Sequence, residues 1–202
     1  MTRILTSVAL AILFVVPVAA QKRKATQKSQ PPAVEEKKPS LKETVDFLKE
    51  KILANAFYKY SSGPSSDGEL VSTDRVEDVQ FEGCVLTLRM VNTKVFSLDP
   101  IVDTTTFVDK VEMSELDGTQ VVVEDNGSNF AVALNTIENR KTVHYHWNEK
   151  GHDLYTGRPK NSVDDGSASV IRIRFTDKDM ANRIAKAFVY AIGVCSTKKE
   201  PF

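Results

Sequence analysis

An excess of charge of either sign is missing from this chain: 27 basic side chains stand against 27 acidic ones. That balance gives no electrostatic case for nucleic acid, whose partners carry a basic field. Glycine is scarce, with nine residues in 202, and none falls in a phosphate-cradling loop or a nucleophile elbow. Signatures of a serine nucleophile, of a cysteine–histidine pair and of zinc-protease helices are also absent. These absences argue against an enzyme, and no cofactor is expected. Beyond residues 1–20 no apolar run approaches the roughly 20 residues of a spanning helix, so no later membrane segment is expected.

What is present starts at the amino terminus. Arg3 precedes an apolar run from Ile4 to Val18, broken only by Thr6, Ser7 and Pro17, and Val18-Ala19-Ala20 closes it. A charged start, a short apolar stretch and a small-residue exit define a secretory signal peptide, with cleavage before Gln21. The mature protein is then expected to be secreted or periplasmic. The alternative is an uncleaved anchor through residues 4–18, because Lys22, Arg23 and Lys24 follow the run and would favour the cytoplasmic side. No cysteine follows to carry a lipid.

Residues 21–39 are polar and rich in Lys, Gln and Pro, without apolar periodicity. Such a segment buries too little to offset its ordering entropy and reads as a solvated linker. Its Lys22, Arg23, Lys24 and Lys28 also suit weak contact with an anionic membrane or cell-wall polymer. A single domain is expected over residues 40–197, followed by a short tail at 198–202. Ser40 and Glu43 form a capping box, and Leu41, Val45, Leu48 and Ile52 recur at helical spacing. The helix should fade near Asn55, and Tyr60–Gly68 reads as loop.

Alternation then takes over. Val79 and Phe81 alternate with polar residues, as do Cys84, Leu86, Leu88 and Met90, and the parity switches at Glu82-Gly83. A two-residue hairpin loop there would set Phe81 opposite Cys84 and Val79 opposite Leu86. Further strands are expected around Phe107–Met113, Thr119–Glu124, Phe130–Leu134, Val143–Trp147 and Ile171–Phe175, with turns at Asp117-Gly118 and Asp125–Gly127. Thr176 and Asp179 start a last helix, whose stripe runs through Met180, Ile184, Ala187, Phe188, Ala191, Ile192 and Cys195.

The expected fold is mainly β, with about seven or eight antiparallel strands in a barrel or sandwich between an N-terminal helix and a C-terminal packing helix. That order resembles a pleckstrin-homology-type barrel and also a lipocalin, which implies a closed barrel plugged by the last helix. The Gly-x-Trp of a lipocalin's first strand is absent, since the single tryptophan is Trp147.

Several residues bear chemistry. Cys84 and Cys195 are the only cysteines, and export makes a disulfide the better reading than two buried thiols. It would close a loop of about 110 residues, worth at most about 4–5 kcal/mol in the chain-entropy model. His144 and His146 share one strand face, opposite Val143, Tyr145 and Trp147. Read plainly they are an exposed polar face; alternatively they supply two zinc ligands, with His152 or Asp153 arriving from the next loop. Val102-Asp103-Thr104-Thr105 is similar to the Asp-Thr-Gly of aspartic proteases, but it lacks the glycine and a second copy, so a turn after Pro100 is expected. Asn148–Ala168 reads as the longest loop; within it Arg158 and Lys160 suit an anionic ligand and Tyr155 suits stacking on one. Asn126-Gly127-Ser128 matches a glycosylation acceptor within a turn. The functional expectation is an exported, non-catalytic module binding a protein or small ligand. The alternatives are a metal-dependent hydrolase using His144 and His146 and a lipocalin-like carrier of an apolar ligand.

Overall fold

A computed structural model describes residues 38–63, 68–96, 99–152 and 158–197, the side chains of 99–101 excepted. The leader, residues 21–37 of the linker, Asp153, Tyr155 and the tail lie outside the described residues. The capping box forms: Ser40 Oγ accepts from the Glu43 N–H at 3.2 Å, and Glu43 accepts from the Ser40 N–H at 2.6 Å. Helix α1 (Leu41–Asn55) then buries Thr44, Leu48 and Ile52. Leu41 is only partly buried, so the fully covered stripe runs through Thr44.

Among the described residues nine strands follow: β1 (Phe57–Ser61), β2 (Leu70–Glu82), β3 (Val85–Phe96), β4 (Asp99–Glu112), β5 (Leu116–Asp125), β6 (Phe130–Thr136), β7 (Val143–His152), β8 (Pro159–Ala168) and β9 (Val170–Phe175). They make two antiparallel sheets, ordered β1-β2-β3-β4-β7-β8 and β5-β6-β9. The expected closed barrel does not form. Among the described residues β1, β8, β5 and β9 each end a sheet with one unpaired side, because ladders stop where no further strand lies alongside.

Helix α2 (Lys178–Thr197) lies on the small sheet and against α1, burying Ala181, Ile184, Ala185, Phe188, Ala191, Ile192 and Cys195. Its expected stripe holds, with Met180 and Ala187 partly buried at its border. The cap is Asp177 rather than Thr176: its carboxylate accepts from the Met180 N–H at 2.7 Å, a stronger charged acceptor at a helix N-terminus. One continuous core joins this stripe to Leu48 and Ile52 of α1, to Val79, Leu86, Leu88, Val111 and Val143 of the large sheet, and to Val132, Leu134, Ile171, Ile173 and Phe175 of the small one.

The β2–β3 turn is displaced by one residue from the expected place. Glu82 pairs with Val85 and Phe81 with Leu86, so the two-residue loop is Gly83-Cys84. Gly83 has φ +65°, and a tight hairpin wants glycine at its first central position, where Glu82 would be strained. Cys84 is therefore in the turn, and it is bonded to Cys195, with a Cα–Cα distance of 5.7 Å. An unpaired Glu77 bulges between the Val76–Met90 and Asp78–Arg89 pairs. The bulge lets Val76 and Val79, three apart, both turn inward.

Two expected loops are strand instead. Val102–Thr105 continues β4, pairing with β3; the ladder there satisfies backbone groups that an isolated turn would leave to water. Asn148–Ala168 forms most of a β7–β8 hairpin, paired from Val143–Ala168 to His152–Pro159. Pro159 and Gly166 disfavour strand on propensity, but β8 is an edge, where such residues are tolerated.

Candidate functional site

Register fixes which side chains meet on the inner face of the large sheet. Near the helices this face supplies the core, with Leu86, Leu88, Val111 and Val143 buried. Farther along it, Val76, Met90, Phe107, Trp147 and Asp164 stand in one cross-strand row over β2, β3, β4, β7 and β8. The adjacent row is Leu88, Asp109, Tyr145 and Gly166. Directly opposed Cβ atoms in such rows are about 4.5–5.5 Å apart. Asp109 thus faces Tyr145, follows Phe107 by two on its own strand, and has Trp147 on its diagonal. Met90, Phe107, Tyr145 and Trp147 are all half-buried.

Asp109 is the misfit in this row. Burial pushes its carboxyl up to about 6 from 3.8, because a poorly hydrated site disfavours the charged form. Among the described residues it makes no hydrogen bond or ion pair. Tyr145 leans over Gly166, whose position leaves no room for a Cβ beneath the phenol. The ring is thereby held toward β8.

Next to this face lies a cleft of about 270 Å³, lined by Ala56, Met90, Asn92, Phe107, Val170 and two arginines of β9, Arg172 and Arg174. β9 alternates, sending Ile171, Ile173 and Phe175 into the core and both arginines the other way. Arg172 grips Glu124 with a forked pair of bonds at 2.9 and 3.1 Å. Arg174 donates to Asp74 and lies 5.9 Å from the centre of the Tyr58 ring. Asn92 donates to Ser72 at 2.9 Å and to Asp74. The cleft's charges are therefore met internally, and its floor is apolar.

The residues singled out from sequence are dispersed. His144 and His146 do share a face, but it is the exposed outer one, and His146 Nδ1 lies 2.7 Å from the Asp165 carboxylate. His152 ends β7, six residues from His146, about 20 Å at strand rise, so it cannot join them on one ion. Its Nδ1 is buried without a partner, while its backbone N–H donates to Asp103 at 3.0 Å. Among the described residues no cluster of three metal-type ligands forms. Arg158 is exposed just before β8, and Lys160 pairs with Glu149 at 2.6 Å. Asn126 is exposed in the β5–β6 turn.

Sequence reasoning missed Phe107, Asp109, Tyr145 and Trp147 as a group. The signal was a charged residue at an inward register position between Phe107 and Val111. Comparison of the chain with protein-family models, curated proteins and solved structures gave no match.

Proposed function

We propose that this protein is an exported, non-catalytic binding module that takes a small ligand on the aromatic inner face and in the cleft beside it. The observation that carries this reading is the gathering of Met90, Phe107, Tyr145 and Trp147, all partly exposed, on one face at the border of the core. Partly exposed aromatics beside a cleft supply contact area at low entropic cost, which is how small-molecule sites are generally lined. Export through residues 1–20 is part of the proposal. The Cys84–Cys195 bond supports it, since such bonds persist in oxidising compartments. A carrier with an enclosed interior has less support, because the two sheets do not close into the barrel that a lipocalin-like or pleckstrin-homology-like plan requires.

The test is a screen of small organic fragments against the purified protein by ligand-observed NMR. Hits should weaken in Phe107→Ala and be blocked by Val170→Trp, which fills the cleft. Hits indifferent to both variants, or no hits at all, would overturn the site. N-terminal sequencing of the exported protein should begin at Gln21, and a retained Met1 would overturn the export reading.

A further inference from the structure

We propose that the group recognised on this face is an organic ammonium, held by the Asp109 carboxylate on the face that also carries the rings of Phe107, Tyr145 and Trp147. The inference rests on the binding role proposed above and names the chemistry of the ligand. Three aromatic residues occupy the register positions directly opposite, diagonal and two along from one carboxylate. Aromatic faces attract cations through their quadrupoles, and several rings around one position are the usual means of holding alkylated ammonium groups.

Charge complementarity selects this occupant over others. Asp109 has no cation of the protein paired with it among the described residues. Glu149, farther along the same face, is met by Lys160 at 2.6 Å, whereas Asp164 stands opposite Trp147. The lysine of β3 on this face, Lys94, is two rows beyond Met90, opposite Asp103. Arg172 and Arg174 of the cleft are already paired with Glu124 and Asp74, so an anionic ligand would meet repulsion from Asp109, and a neutral apolar one would cover the carboxylate without compensating it, which is costly. A bare metal ion would find too few oxygen or nitrogen ligands beside the rings. An ammonium with apolar substituents satisfies both the carboxylate and the aromatic surround.

Trp147 is the only tryptophan of the chain, so its fluorescence reports on this face alone. The probes are choline and its uncharged isostere 3,3-dimethyl-1-butanol, titrated into the full protein. Choline should bind about tenfold or more tighter than the alcohol, the ratio that a desolvated cation–π and ion-pair contact supports. Asp109→Asn should erase that preference by weakening choline binding to the level of the alcohol, and Tyr145→Ala should reduce the preference. Equal binding of the two probes would overturn the ammonium inference and leave the binding face standing. So would absence of binding by both probes while other fragments still bind in a Phe107-dependent way. Absence of binding by every fragment would overturn both proposals.

Discussion

The two halves of the large sheet's inner face are built on the same alternation but put to different uses. In the half nearer the helices, Leu86, Leu88, Val111 and Val143 are covered by α1, α2 and the small sheet. In the other half, Met90, Phe107, Tyr145 and Trp147 keep part of their surface in water, and a carboxyl sits among them. Identical periodicity thus yields a core where a second layer arrives and a binding face where none does. Pattern alone reports which side of a strand is apolar; what covers that side is decided by the path of the rest of the chain.

The sharpest test of this division compares one residue type in the core and on the open face. Phe188 is fully buried in α2, and truncating such a side chain costs about 3–5 kcal/mol through lost burial and a residual cavity. Phe107 is only partly buried, so Phe107→Ala should cost less than that, because less area returns to water and solvent can fill the gap. Urea unfolding of both variants measures the difference. Equal losses would mean the outer half is as much core as the inner.

The bond between Cys84 and Cys195 ties the β2–β3 hairpin of the large sheet to the end of α2 across 111 residues. Removing a native disulfide typically costs about 2–5 kcal/mol. Cys84→Ala/Cys195→Ala should therefore lower the melting temperature clearly, yet leave ligand binding to the aromatic face unchanged. Two free thiols in unreduced exported protein would show the bond to be absent and remove the covalent part of the comparison.

Asp109 gives the contrast a pH dependence. Its folded-state value, about 6, lies above the ordinary 3.8, so the folded protein holds this proton more tightly than the unfolded one. Its contribution is fully favourable below about pH 4 and is lost as pH rises to about 6, a change on the order of 3 kcal/mol. Glu43, Asp117 and Asp125 act in the opposite sense. Bonds from Ser40, Thr119 and Gly127 hold their carboxyls low, so their contribution fades as pH falls. The informative quantity is therefore the difference between Asp109→Asn and wild type in urea midpoints from pH 4 to pH 8. The variant should gain relative stability across pH 4–6 and stay ahead at pH 7. A difference that does not vary with pH would mean Asp109 is as well hydrated as a surface carboxylate.

How much of this was legible beforehand depends on the range of the forces involved. The Ser40 capping box, the α2 stripe and the alternation in β3, β6 and β9 are set by neighbours within a few residues, and the chain displays them directly. The pairing of two cysteines follows once export is assumed. The register at Gly83-Cys84 was missed by one residue because parity alone ignores which position needs a positive φ. β8 was missed because Pro159, Asp164, Asp165 and Gly166 have little strand preference; it exists through its ladder to β7, a long-range effect that overrides propensity. The aromatic face needed register between β4 and β7 before Phe107, Asp109, Tyr145 and Trp147 became neighbours.

The smallest effect belongs to the opposite face of the same strands. His146 and Asp165 meet at 2.7 Å, but their side chains are 48% and 77% exposed. Ion pairs in water gain little after side-chain ordering and salt screening, typically about 0–1 kcal/mol. His146→Ala should thus change stability by no more than about 0.5 kcal/mol, and that change should shrink further in high salt. A histidine pair holding a metal would behave otherwise, since a bound ion stabilises only the folded state that assembles its ligands. Zinc at one equivalent should leave the melting temperature of the wild type unaltered. A rise that disappears in His144→Ala/His146→Ala would make the outer face the functional one, and would place the aromatic rows behind it in a supporting role.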